Sequence, residues 1–336
     1  MAAERPAPEP LPEDVLIADL FAPLAGEGAF GLKDDAARLS PPPGRDLVVT
    51  ADMLVAGVHC FADDPADAIA KKALRVNLSD LAAKGAVPLG FLVALALPRG
   101  TPRVWLEDFA RGLGQDVDRF GCPLIGGDTV STPGPLTVSI TAIGHVGAGR
   151  MPTRLDARQG DAVVVTGTIG DAALGLVART DPARAAGWDL TEAERSHLAD
   201  RYLLPRPRVA LAGAVSRHAR AAMDVSDGLV GDLARLARAS GLAARIEAGA
   251  VPLSAAARRA AQRDSRSLEV VLTGGDDYEI LATMPPGNVA PFIAAAAAAG
   301  IGATVIGAMS EGAAGAVEVL HDGRPLVLER TAYSHL

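Results

Sequence analysis

The chain has 336 residues, 49% of them hydrophobic and 21% charged, which is enough apolar content for a sizeable core and more length than one core usually takes. Two domains are expected, and disorder or a collagen-like repeat is excluded. The 40 acidic residues outnumber the 32 basic ones for a net charge of −8, and only 4% is aromatic, which argues against a nucleic-acid partner held by phosphate contacts or base stacking.

Residues 1–13 read as a disordered, proline-rich tail, with Pro6, Pro8, Pro10 and Pro12 and no periodic pattern. Val15, Ile17, Leu20 and Leu24 have helical spacing, and Gly26–Gly31 opens a glycine-punctuated loop ahead of Asp34 and Asp35. A strand over 46–54, a long helix over 65–86 closed by Gly85, and a fully buried strand over 88–98 follow. An amphipathic helix spans 105–121, a short strand leads into Gly126–Gly127–Asp128–Thr129, and a β-branched strand covers 136–146. This β-α-β-α-β-β succession is expected to form an N-terminal αβ domain over 14–150. Beyond a Gly/Arg-rich linker, strand, glycine turn and helix restart over 158–178 and open a C-terminal αβ domain over 151–336. It holds a polar helical region, a strand-to-helix unit over 219–241, an apolar strand over 267–284 interrupted at Gly274–Gly275, and an alanine-rich helix over 291–299. The fold class is α/β, mixed α+β, with two domains in tandem.

Several chemistries are excluded. The lysines are Lys33, Lys71, Lys72 and Lys84 alone, and no Gly-Lys-Ser/Thr string exists, so there is no P-loop. No G-x-G-x-x-G follows the first strand, the six histidines form no H-E-x-x-H, and no G-x-S-x-G elbow occurs. Cys60 and Cys122 are too few for a disulfide framework or a zinc site. The acidic start lacks the apolar region of a signal peptide, and no stretch reaches the roughly 18 strongly apolar residues of a membrane span. A soluble, cytoplasmic protein without a membrane partner is expected.

The aspartates carry the positive signal. Asp34, Asp35, Asp52, Asp128, Asp224 and Asp227 fall at strand ends, glycine turns and helix starts, where scaffolds display functional groups, and Asp80 lies within a helix. Each also has an ordinary reading, as a turn, a helix cap or an exposed helical residue. Asp52 resists it, because a carboxylate closing an apolar strand faces desolvation. Carboxylates gathered with so few lysines point to Mg²⁺, a hard cation that keeps waters or substrate phosphates in its shell.

GLKDDAA, VVTADMLVAGVHC, KKALRVNLSDLAAKGAVP, LIGGDTV, AMDVSDGLVGDL and LTGGDDYEIL occur in that order. Together they resemble the thiamine-monophosphate kinases, a family of the aminoimidazole-ribotide-synthetase-like (PurM-like) superfamily, from about Asp14 to the C-terminal TAYSHL. The resemblance implies a two-domain PurM-like architecture whose N-terminal sheet dimerises. It also implies ATP-dependent phosphorylation of thiamine monophosphate to thiamine diphosphate, with several Mg²⁺ ions, in a homodimer. Carried over residue by residue, it implies metal ligands at Asp35, Thr50, Asp52, Asp80, Asp128, Asp224 and Asp227. Nucleotide contacts fall on Gly127, Asp128, Arg154 and Ser226, and thiamine-phosphate contacts on His59, Asp276 and Tyr333, with Asp34 in support. No covalent nucleophile is implied, since phosphoryl transfer asks mainly for alignment and charge neutralisation.

The chain departs from the family pattern at Lys33 for glycine, Ala51 for threonine, Cys60 for phenylalanine, Asp276 for glutamate and Leu336 for an aromatic. Two alternatives stay open: another ATP-using enzyme of the superfamily, or a non-catalytic nucleotide or thiamine-phosphate sensor suggested by Ala51 and Asp276. The thiol that a selenophosphate synthetase or a hydrogenase-maturation dehydratase would need is absent from both the 26–31 loop and the C-terminal residues.

Overall fold

The computed structural model describes residues 12–330 and 332; residues 1–11 of the proline-rich tail, Tyr333 and Leu336 lie outside them. Helix α1 (Pro12–Leu16) continues as a π-helical turn and two 3₁₀ stretches to Leu32. The expected helical spacing is thus realised turn by turn, because Pro23 and the glycines from Gly26 onward interrupt one continuous helix. Lys33 closes this segment at φ −105, a backbone that any residue adopts, so lysine in place of glycine is accommodated there.

β1 (Arg45–Val55), α2 (Ala66–Ala83), β2 (Val87–Pro98), α3 (Arg103–Phe120), β3 (Leu124–Thr132) and β4 (Thr137–Gly147) follow in the expected succession. Their sheet has the order β1-β4-β2-β3, with β2 and β3 parallel and the other pairs antiparallel. Strand alternation sorts its faces. Val48, Leu54, Phe91, Val93, Leu95, Val138 and Ile140 share a buried core with Leu74 and Leu78 of α2 and with Phe109 and Leu113 of α3. The opposite face leaves Leu47, Val49, Met53 and Leu92 exposed.

The C-terminal half runs β5 (Ala162–Thr166), α4 (Asp171–Thr180), α5 (Pro182–Ala186), α6 (Glu192–Leu203), α7 (Ala212–His218), β6 (Ala221–Asp224) and α8 (Leu229–Ala239). β7 (Ala243–Glu247), α9 (Ala255–Arg263), α10 (Arg266–Thr273), β8 (Ile280–Met284), α11 (Pro286–Ala298), β9 (Ala303–Ser310), β10 (Val317–His321) and β11 (Arg324–Pro325) complete it. Seven strands form one sheet in the order β11-β10-β7-β9-β5-β8-β6. The segment 267–284, expected as one interrupted strand, is a helix, a loop and a strand. Ser267, Val271 and Leu272 are buried together, which is the i, i+4, i+5 spacing of a helical face, and packing overrides the strand preference of Val270 and Val271.

Helix α2 joins the two halves. It packs on β1, β4 and α3 on one side and on β6, β8 and α7 on the other. It is buried on nearly every side, polar residues Lys72, Arg75, Asn77 and Ser79 included. A helix enclosed this way must partner each of its polar groups, and those partners build the site.

Candidate active site

A cleft of about 770 Å³ opens where α2 meets both sheets, and Asp52, His59, Asp80, Tyr202, Asp224 and Asp276 border it. The Asn77–Leu78–Ser79–Asp80 stretch of α2 organises one wall. Asn77 Oδ1 accepts the Asp52 N–H at 3.0 Å, while its Nδ2 donates to the Ala73 carbonyl at 3.0 Å. Thr50 Oγ1 donates to Asp80 Oδ2. Thr50 and Asp52, two residues apart on β1, therefore both face α2, whereas Ala51 between them is exposed on the outer face. The hydroxyl that alanine removes would have pointed away from this wall.

The cluster is electrostatically unbalanced. Burial pushes Asp52 up to about 6, helped by the charges of Asp80 and Asp227. Asp224, at the end of β6, is raised well above the carboxylate range by burial and by Asp80. Lys84 reaches toward the group from the end of α2, with Nζ donating to the Ala222 carbonyl, and burial depresses it to about 8. Asp227 is held by Arg235, which also pairs with Asp232 at 2.8 Å. Asp232 Oδ2 in turn accepts the N–H groups of Ser226 and Asp227, each at 3.0 Å, and so fixes the turn after β6.

The loop before β8 lies on that turn. Asp276 N–H donates to the Ser226 carbonyl and Tyr278 N–H to the Val225 carbonyl, both at 2.8 Å. A Cβ on Gly275 would come within 2.3 Å of the Ser226 carbonyl oxygen, so only glycine permits this approach. Asp276 and Tyr278 take φ values of 70 and 51, left-handed conformations that non-glycine residues rarely hold away from functional sites. Burial raises the Tyr278 hydroxyl well above its usual range, so it stays a neutral donor, and it reaches Asp276 Oδ1 at 3.2 Å.

His59 sits on the loop after β1. Its Nδ1 accepts the Val55 N–H at 3.0 Å, which leaves the ring proton of the neutral form on Nε2. Cys60 beside it is buried, and desolvation pushes its thiol up to about 11, so it is no nucleophile. Arg179 of α4 clamps the loop through Asp63 at 2.9 Å and through Asp64, and its guanidinium lies 3.9 Å from the Phe61 ring centroid. Phe61 meets Tyr202 edge-on, with 6.0 Å between centroids.

Asp35, Gly127 and Asp128 border a second cavity of about 480 Å³ with Asp34. Asp128 lies on β3 and Asp52 on β1, opposite edges of a four-stranded sheet. Three strand spacings separate such edges, about 14 Å. One chain therefore does not bring the seven acid and hydroxyl positions together: Thr50, Asp52, Asp80, Asp224 and Asp227 form one group, Asp35 and Asp128 another. Arg154 and Ser226 join the first cleft. Gly127 belongs where it is for a steric reason, since a Cβ there would meet the Val93 carbonyl oxygen at 2.0 Å.

The sequence matches the model of the AIR synthase related protein N-terminal domain over residues 33–146 and that of the C-terminal domain over 158–320. It is 42% identical to the thiamine-monophosphate kinase of Caulobacter vibrioides, over 99% of this chain and 93% of that one. The chain belongs to the thiamine-monophosphate kinase family. Among solved structures, the thiamine-monophosphate kinase of Stenotrophomonas maltophilia K279a superposes with a TM-score of 0.78 at 39% identity, covering 88% of this chain and 91% of that one. AaThiL complexed with AMPPCP and TMP gives 0.74 at 28% identity, over 96% and 94%.

Tyr202 and Tyr278 line the cleft, and Asn77, Lys72, Arg179 and Asp232 hold its walls; motif reading passed over all six. Asn77 and Asp232 had a legible signal, as polar residues inside the apolar rows of α2 and α8. Lys72 had none, since Lys71 beside it is the same residue type and points outward to Asp67.

Proposed function

We propose that the protein is a thiamine-monophosphate kinase that transfers the γ-phosphoryl group of ATP to the phosphate of thiamine monophosphate, giving thiamine diphosphate. The carrying observation is that Asp52 and Asp80 from one half and Asp224 and Asp227 from the other converge on a cleft that also holds His59, Tyr202 and Asp276. The acceptor oxygen is ionised near neutral pH, so alignment and charge compensation are the main demands on the protein. His59, with its proton on Nε2, suits a phosphate oxygen as partner, and Arg154 suits a nucleotide phosphate. Tyr202 and Phe61 offer an aromatic wall to the thiamine rings. Ala51 gives no reason to favour a non-catalytic sensor, because its side chain faces away from the acid cluster.

Mg²⁺ fits the residues present. Among the described residues no three Asp, Glu, His or Cys side chains enclose an ion unaided. Yet Asp52 and Asp224 are raised by burial and then by the negative charge of Asp80 beside them, a surplus of hard oxygen donors that suits a cation whose shell is completed by phosphates and water. Thr50, Asp52, Asp80, Asp224 and Asp227 would hold Mg²⁺ at the cleft and Asp35 and Asp128 at the second cavity, and the ions would supply charge neutralisation on the phosphate oxygens.

The same reading includes a homodimer. The outer face of the N-terminal sheet carries exposed Leu47, Val49, Met53 and Leu92, a row that a second copy would cover. Leu92 of that face also borders the Asp35 and Asp128 cavity, so a second copy would close over that group as well. The division of labour then follows 14–150 for metal, substrate and dimerisation and 151–336 for nucleotide and thiamine contacts. A cytoplasmic location accords with two free, buried cysteines and with the absence, among the described residues, of a helix long and apolar enough to cross a membrane. Chromatographic separation after incubation with ATP, Mg²⁺ and thiamine monophosphate tests the activity; no thiamine diphosphate at high enzyme concentration refutes it. Light scattering of the wild type and Val49→Asp tests the dimer, which the charge should split.

A further inference from the structure

Lys72 is 2% exposed, in the middle of α2. Its Nζ donates to Asp276 Oδ2 at 2.8 Å and to the His59 carbonyl at 3.0 Å, and stands 4.3 Å from the Tyr202 ring centroid. The three partners come from three places in the chain: the loop after β1, helix α6 and the loop before β8. All three border the cleft, and Lys72 stands behind them. Burying an ammonium costs several kcal/mol unless it is paired, and an apolar residue of the same length would pack there without that cost. Asp276 is held at both oxygens, by Lys72 on Oδ2 and by the Tyr278 hydroxyl on Oδ1, while its backbone sits in the left-handed region.

We propose that Lys72 is a positioning residue for the thiamine-phosphate side of the reaction, fixing Asp276, the His59 loop and the Tyr202 ring as one wall. It also cancels the charge of Asp276, so that a phosphate-bearing substrate does not meet an uncompensated carboxylate. None of its three partners belongs to the acid group on β1, α2 and β6, and the Asp276 link to the Ser226 turn runs through the backbone N–H rather than the carboxylate that Lys72 holds, so the larger effect falls on the thiamine-phosphate side. The inference rests on the kinase reading above.

Steady-state kinetics on Lys72→Met test it. The KM for thiamine monophosphate should rise about tenfold or more while the KM for ATP stays within about twofold. In an Asp276→Asn background the same substitution should add less than about twofold, because its main partner is already gone. Lys72→Arg, which keeps the charge, should recover most of the loss. Equal changes in both KM values, or full additivity with Asp276→Asn, would overturn the proposal. If circular dichroism shows Lys72→Met unfolded, Lys72→Gln reads the same two ratios with a neutral donor kept on a side chain one atom shorter. A wild type that makes no thiamine diphosphate refutes the kinase reading itself; a working wild type with unchanged substrate selectivity in the variant refutes only the role of Lys72.

Discussion

Two sets of carboxylates lie within the same protein and are treated in opposite ways. Glu279, Asp116 and Asp171 are fully buried, and each is met by built-in partners. Arg208 forks onto Glu279, with Arg201 at 3.1 Å and Thr166 at 2.8 Å. Arg75 takes both oxygens of Asp116, at 2.6 and 2.8 Å. Asp224 is buried, Asp80 half-buried and Asp52 open to the cleft, yet they face one another, and Asp52 and Asp224 are pushed toward their protonated forms. Glu279 and Asp116 come with their cations and Asp171 with three hydrogen-bond donors, while Asp52, Asp80 and Asp224 have no arginine on them among the described residues and are left for a cation from outside. That asymmetry separates a site from a scaffold more sharply than burial or residue type does.

The comparison breaks most visibly at the cleft. Asp52→Asn and Asp80→Asn should each lower turnover about 1000-fold or more, measured as thiamine diphosphate formed at saturating ATP. Neither should destabilise the metal-free fold, because each removes a like-charge repulsion; a large drop in thermal midpoint would place these acids with the scaffold. The opposite outcome is expected for Glu279→Gln. Removing that charge leaves two buried guanidinium groups uncompensated, with a loss of about 3–5 kcal/mol in denaturant unfolding. Retained stability in that variant would show that the two sets do not differ in kind.

Much of this was legible from sequence where one residue type has one use. The β1-α2-β2-α3-β3-β4 succession follows from clean periodicity, and the acids on β1, on α2 and after β6 mark the cleft. β7 and β9 are harder, because Ala and Gly dilute strands of five and eight residues, and α10 is hidden by its adjacent valines. The site's second layer was illegible for another reason. Lys72, Tyr202 and Asp276 lie 130 and 74 residues apart along the chain, and only the docking of α2 between the sheets brings them into contact. The split of Asp35 and Asp128 from Asp52 is likewise a matter of strand order, which no local pattern encodes.

The smallest expected effect lies in the scaffold set and depends on pH. Burial alone would raise Asp171, but hydrogen bonds from His197 at 2.9 Å, from Ser254 at 2.5 Å and from Thr168 at 2.6 Å hold it below the usual carboxylate range. They tie the start of α4 to α6 and to the cap of α9. A carboxyl depressed in the folded state contributes stability above its unfolded pKa of about 3.9, and that contribution is lost as pH falls through the lower folded value. Asp171→Asn should therefore cost about 2 kcal/mol at pH 7, and its melting curve should converge on the wild type's as the solution is acidified below about 4. A gap that stays constant down to acid pH would mean that Asp171 acts through shape and neutral hydrogen bonds, and that ionised, compensated acids are not what distinguishes the scaffold from the cleft.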